Sequence, residues 1–360
     1  MNDRATNGRA KNGHRTNKRA GGSSTISPRP TGPLLTGPDL LETVGTGFFS
    51  WKGPPCYGSQ DLGYSPGGVQ DRFSFHTGQI LLGTDTDTPW PALEMIHPPR
   101  LVRFRLDCCF VLTGGKVEAG LDRSGDDRHR GSEQDQGRSE PDALAAETTV
   151  EQAVVYHAPA GSELRFRRRV YGFRTYLSCR PAPPDPGKLA GRSRGPYHRA
   201  ARWPHPAGRI RVIAGPEITS LADPEAFLGI RWRTSGEMSD MGIRLEPARD
   251  TGVDGSDQPG SDRFNPDRAM QVREEQLISA PVCDGTIQMT PSGPIALLRE
   301  RQTTGGYPRV AVVVGADVDM LVQMGPGRIF SFLPVTLEEA LIIGRQWRDD
   351  LKRLGERFPQ

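Results

Sequence analysis

Residues 294–298 and 310–314 are five-residue apolar runs separated by Glu300-Arg301-Gln302-Thr303-Thr304-Gly305-Gly306-Tyr307-Pro308. Apolar runs this short, bounded by Gly and Pro, are too brief for ordinary helices and predict buried strands. The connection between them is overloaded. A hairpin needs a few turn residues, not an Arg, a Gln and two Thr as well. The Gly pair permits backbone conformations that other residues avoid, or close approach of another group.

Short runs of the same kind recur at 101–104, 109–112, 153–157, 164–166 and 173–177, then at 210–214, 242–245, 287–289 and 329–332. With 43 Gly and 32 Pro in 360 residues, a loop-rich, mainly β chain with room for two domains is expected. The predicted division is a disordered basic tail over 1–38, an N-terminal half over 39–180 with a polar insertion at 116–149, a linker at 181–206, and a C-terminal half over 207–360 with a polar loop at 248–268. The tail carries Arg4, Arg9, Lys11, Arg15, Lys18, Arg19 and Arg29 against Asp3 alone, with few large apolar side chains to offset ordering entropy. A terminal helix starts where Thr336 and Glu339 form a capping box. Leu337, Leu341, Gly344, Trp347, Leu351 and Leu354 share one face of it, a stripe expected to pack.

The net charge of +3 gives no global case for nucleic acid or membrane binding, and no apolar run approaches the length of a membrane helix. The five Cys fit no zinc or redox spacing, and free buried thiols in a reducing cytoplasm are expected. His76, His97 and His157 form no metal-ligand pattern. No phosphate-binding loop, dinucleotide fingerprint or nucleophile elbow is present.

Several polar groups are candidates for chemistry. Gln60 and Asp71 end or begin two Gly-rich turns, where an Asp either holds the turn backbone or, with Gln60, forms the lip of a pocket. Glu94 sits among apolar neighbours, either exposed or buried and paired; burial would raise its pKa toward that of a base.

Taken in order, these segments resemble the family of the 5-oxoprolinase C subunit, also called the biotin-dependent carboxyltransferase family and related to allophanate hydrolase subunit 2. Gln60-Asp61-Leu62-Gly63 resembles its Q-D-L-G. Residues 68–71 resemble S-G-A-M-D, residues 239–245 S-D-R-M-G-x-R-L, and Gly285-Thr286-Ile287-Gln288 its G-x-I-Q. Residues 301–308 are the most specific match, and coverage runs over about 40–345. Three departures stand out. The turn between Gly63 and Gly68 is short and lacks the family's Arg, Gln79 replaces an Asn, and Asp240 replaces an Arg.

The resemblance implies two related cyclophilin-like β-barrel halves with a C-terminal helix. It implies a cytoplasmic protein that joins A-type and B-type subunits in a complex that opens the lactam of 5-oxoproline to glutamate with ATP. Two other readings follow from it: a carboxyltransferase acting with carboxybiotin on urea or a related amide, and a non-catalytic regulatory partner of a B-type subunit. ATP would act at the level of the complex, since this chain has no standard site, and biotin would be attached elsewhere. Under that reading Glu94, Asp71 and Gln302 are candidate catalytic groups. Gln60, Gln288, Arg301, Thr303, Thr304, Gly305, Gly306 and Tyr307 would bind a small amide or lactam, with no metal.

Overall fold

Apolar runs and alternating segments do build two strand-rich halves. The computed structural model describes residues 37–84, 89–123, 147–193, 208–248, 265–273 and 277–358. The N-terminal half comprises α1 (Gly37–Leu40), β1 (Leu41–Val44), β2 (Phe48–Lys52), α2 (Arg72–Leu81), β3 (Ala92–His97), β4 (Leu101–Phe104), β5 (Cys108–Asp122), β6 (Thr148–Thr149), β7 (Val155–Ala158) and β8 (Glu163–Pro181). The C-terminal half comprises β9 (Arg209–Ala214), α3 (Pro224–Gly229), β10 (Arg231–Met238), β11 (Gly242–Pro247), α4 (Pro266–Ala269), β12 (Ala280–Pro281), β13 (Thr286–Thr290), β14 (Gly293–Leu297), β15 (Thr304–Gly305), β16 (Arg309–Val313), α5 (Gly315–Leu321), β17 (Ile329–Pro334) and α6 (Leu337–Arg357).

The halves differ in closure. In the C-terminal half β10-β11-β14-β13-β16-β9-β17 close into a barrel, which leaves no open sheet edge. Its interior is filled by residues such as Ile210, Trp232, Ile243, Ile287, Val310 and Phe330. The N-terminal half is an eight-stranded sheet in the order β1-β4-β8-β3-β2, with β5 pairing β6, β7 and β8. Its two longest strands pair from Cys108 opposite Pro181 to Asp122 opposite Glu163, with register shifts between Gly114 and Ala119.

Several expectations are adjusted. Residues 116–122, assigned to a polar insertion, are the second half of β5, where Val117, Ala119 and Leu121 alternate into the core. Of the expected linker, residues 181–193 pack: a 3-10 turn at Pro186–Lys188 leads to buried Leu189, which joins a core cluster with Leu81, Cys109 and Val155. The tail over 1–36, most of the insertion, residues 194–206 and most of the 248–268 loop lie outside the described residues. All five Cys are free, as expected, but Cys56 and Cys283 are exposed.

The capping box of α6 forms, with Glu339 N donating to Thr336 Oγ1 at 3.2 Å and Thr336 N to Glu339 Oε2 at 2.8 Å. The apolar stripe beyond it divides. Trp347, Leu351 and Leu354 pack on Phe73 and Ile80 of α2, whereas Leu337 and Leu341 are 61% and 52% exposed. Helix α6 thereby carries the end of the C-terminal half back onto the N-terminal half.

Candidate functional site

The residues singled out in the sequence fall into three places. The first is a buried polar joint between the halves, centred on α2. Asp71 caps this helix, its carboxylate accepting from Ser74 N at 2.9 Å and Ser74 Oγ at 2.5 Å. The same carboxylate accepts from Gln323 Nε2 at 2.7 Å, and Asp71 N donates to Tyr176 Oη at 2.7 Å. Asp319 of α5 accepts from Arg72 N and Phe73 N, the next donors of the helix start, and from Trp347 Nε1 of α6. Carboxylates suit that place because the first backbone N–H groups of a helix have no internal partner.

Arg299 ties this joint together. Its Nε donates to Gln70 O at 2.8 Å, Nη1 reaches Asp284 Oδ2 at 3.2 Å, and Nη2 binds Asp319 Oδ1. Burial pushes the Asp319 carboxyl above the usual range, with the Arg299 guanidinium opposing the shift. His76 on α2 is held below its ordinary value, first by burial and then by Arg72 and Arg299.

Glu94 belongs to the same joint. It is 3% exposed, accepts Gln70 N at 2.9 Å, and pairs with Arg174 Nη1 at 2.6 Å. Burial raises its pKa, the Arg174 charge opposing. Arg174 also meets Asp240 at 2.9 Å, and Asp240 meets Lys52 at 3.1 Å, with Glu300 on the other side of that ammonium. The charge reversal at position 240 is therefore neutralised by two cations. Of the two readings open for Glu94, the structure selects burial with a partner, and of those for Asp71, the backbone-holding role. Neither carboxylate reaches an open surface.

The second place is Gln60, in a 3-10 turn, where its Oε1 accepts Gly58 N at 2.7 Å. It serves its own turn, and no hydrogen bond among the described residues joins it to Asp71.

The third place is the 301–308 turn, where the predicted residues do come together. Gln302 Nε2 donates to Gln288 Oε1, and Gln288 Nε2 to Tyr307 O, each at 3.2 Å. Thr304 and Gly305 form β15 against β12, and Thr303 O accepts from Val282 N. Of the two reasons offered for the Gly pair, close approach is the operative one. A Cβ on Gly305 would stand 2.5 Å from Gln288 Nε2, while neither glycine has a positive φ.

Arg301 is 7% exposed, and its one hydrogen bond among the described residues runs from Nη1 to Gln302 O at 3.2 Å. Its Nε stands 3.2 Å from Asp284 Oδ1, close enough for attraction, yet neither atom has a hydrogen-bond partner. Asp284 also meets Arg72 Nη2 at 3.1 Å, so three arginines converge on one carboxylate. Beside them Tyr57, an exposed aromatic, lies under the Arg72 guanidinium at 5.9 Å. This arrangement, with spare N–H donors on Arg301 and two linked side-chain amides next to it, suits a small ligand carrying a carboxylate and an amide.

Sequence reasoning missed Arg72, Arg174, Asp284, Arg299, Asp319 and Gln323. Asp319 carried a signal, a carboxylate inside the apolar segment 318–322, which predicts a buried partner. The others pair with residues far away in the chain and leave no local trace.

A sheet half and a closed barrel half, joined through a charged seam and followed by a helix, define a two-part β architecture. The chain belongs to the family described as carboxyltransferase domain, subdomain A and B, which matches residues 62–182 and 181–334. It is 27% identical over 333 residues to the 5-oxoprolinase C subunit of Escherichia coli, covering 84% of this chain and 92% of that protein. A shorter stretch of 83 residues is 37% identical to the 5-oxoprolinase C subunit of Haemophilus influenzae, covering 22% of this chain and 27% of that one. In fold it is similar to the Kluyveromyces lactis urea carboxylase, with a TM-score of 0.64 at 17% identity over 88% of this chain. The chain spans 29% of that much longer protein. Among the described residues no helix is long and apolar enough to cross a membrane.

Proposed function

We propose that the chain is one component of an ATP-dependent complex of the 5-oxoprolinase type, in which the lactam of 5-oxoproline is opened to glutamate. The observation that carries the reading is the 84% coverage of this chain by a relative named as the C subunit of 5-oxoprolinase. The site chemistry agrees with it. 5-Oxoproline presents a carboxylate and a lactam amide, and Arg301 with Gln302 and Gln288 offers a guanidinium fork and two amides side by side.

In this reading Arg301 holds the substrate carboxylate, and Gln302, Thr303 and Thr304 donate toward the lactam oxygen as charge develops on it. Gln288 sets the position of Gln302. The other components, of the A and B types, supply the ATP-dependent step. Asp71 and Glu94, with their carboxylates committed to Gln323, Ser74, Gln70 and Arg174, hold the seam on which Arg301 rests.

The test is lactam opening by the complex reconstituted with Arg301→Ala. Loss of about 100-fold in turnover is expected if the guanidinium anchors the substrate. Full activity of that variant would remove the assignment. A second reading, carboxyl transfer from carboxybiotin to urea or a related amide, is favoured by the family description of the matched segments. Carboxybiotin-dependent carboxylation of urea in the absence of lactam opening would favour it over the first.

A further inference from the structure

The end of β8 and the turn that follows it enclose a cavity of about 330 Å³, on the far side of α2's C-terminus from the Asp71 cap. Pro183, Pro184 and Leu189 give it apolar walls, and Arg180, Lys188 and Arg192 bring three cations to it against the single carboxylate of Asp185. None of the three cations has a carboxylate partner among the described residues. Three like charges gathered on apolar walls repel one another, and the repulsion is less screened there than in open water.

The cations are also fixed in place. Arg180 Nη1 donates to Leu82 O at 3.2 Å and Gly83 O at 3.1 Å, where α2 ends. Arg192 Nε donates to Lys188 O at 3.0 Å, and its guanidinium lies 5.7 Å from the centre of the Phe358 ring. The backbone of the turn is pinned to β7, with Gly191 N donating to Val155 O and Val155 N to Arg192 O. Yet Arg192 Nη1 is shielded from bulk water and has no hydrogen-bond partner. A charged donor held in that state is costly and calls for an acceptor that completes it.

We propose that this cavity binds a small organic anion with an apolar body, a carboxylate or phosphate monoester carried on a ring or short alkyl chain. The anionic group meets Arg192 and Lys188, with Arg180 adding charge from the helix end, and the apolar body lies on Pro183, Pro184 and Leu189. The site involves none of the residues assigned to lactam opening, so it stands or falls separately from that function.

Calorimetric titration of the full chain with benzoate, phenyl phosphate and neutral benzamide tests it. Saturable binding of benzoate or phenyl phosphate is expected, weakened about tenfold or more by Arg192→Gln and by Lys188→Glu, consistent with loss of a charge-assisted bond. Binding should persist in Arg301→Ala and weaken as salt is raised. Preference for one anion over the other assigns the head group. Lys188 is exposed and anchors no core contact, so Lys188→Glu keeps the test valid if Arg192→Gln fails to fold. Equal binding of benzamide and benzoate, insensitivity to Lys188→Glu, or no saturable binding of either anion up to about 10 mM would overturn the proposal.

Discussion

Arg299 and Arg301 stand two residues apart at the end of the same barrel strand, and their surroundings assign them opposite duties. Arg299 is 2% exposed and places Nε, Nη1 and Nη2 on Gln70, Asp284 and Asp319, drawing acceptors from both halves. Arg301 is nearly as covered, but makes one hydrogen bond and leaves Nε unmatched beside Asp284. A buried guanidinium with every donor placed is a structural joint. One held in position with donors to spare is arranged for something else. Burial alone does not separate the two; the count of satisfied donors does.

The largest effect should come from Arg299. Arg299→Met removes the cation between Asp284 and Asp319 and leaves buried carboxylates unpaired, a loss of about 3–5 kcal/mol in stability. Chemical denaturation of the purified chain measures it. A loss no greater than that of Arg301→Ala would erase the contrast.

Glu94 should follow. Glu94→Gln keeps the shape and still allows one hydrogen bond, but takes the charge from a pair with Arg174 in which both side chains are 3% exposed. Arg174 retains Asp240, so a loss of about 2 kcal/mol is expected rather than the cost of an orphaned ion. Lactam opening by the intact complex should change only through this stability loss. If turnover vanished while the variant remained folded, Glu94 would belong to the chemistry and not to the joint.

Arg301→Ala should cost only about 1 kcal/mol, the scale of one hydrogen bond, while removing activity. The pair of arginines would then separate cleanly, one measured by denaturation and the other by turnover.

Which parts of this were legible in the sequence follows from the range of each interaction. Strands β4, β9, β11, β13, β14, β16 and β17 lie where short apolar runs predicted them, because alternation and Gly/Pro boundaries are local. The α6 cap was legible for the same reason, since Thr336 and Glu339 are three residues apart. Helix α2 was not. It buries Phe73, Phe75, Ile80 and Leu81, but Ser74, Thr77 and Gln79 as well, so no polar face marks its period. Helix α5 hides Asp317 and Asp319 inside, each neutralised by an arginine, which removes the usual contrast between faces. The site divided along the same line. The 301–308 turn was visible as a local excess of polar groups. The seam was not, because Arg72 meets Asp319, and Gln323 meets Asp71, across about 250 residues of chain.

The smallest effect is a pH dependence that reads the joint from within. His76 is half-buried on α2, with the charges of Arg72 and Arg299 facing it, the Trp347 ring edge-on at 6.2 Å and Phe75 at 5.4 Å. Its folded pKa lies below the ordinary value of 6.5, so the neutral ring is the form the fold accepts. Between the two values the unfolded chain binds more protons than the folded one. Stability therefore rises with pH through that window and is lost as pH falls below about 6.5, by at most about 1.4 kcal/mol per pH unit. Glu94 and Asp319 act in the other direction, since their raised values make folding less favourable as pH climbs from the ordinary carboxyl range. The difference between the wild type and His76→Gln separates the contributions, because the variant keeps both carboxylates. Denaturation midpoints from pH 5 to 7.5 should show the variant losing less stability on acidification, as the direction of the His76 shift requires. Replacing Arg299 as well should shrink that difference, because one of the two charges that hold the ring neutral is then gone; replacing Arg301, which is not among the charges acting on His76, should leave it intact.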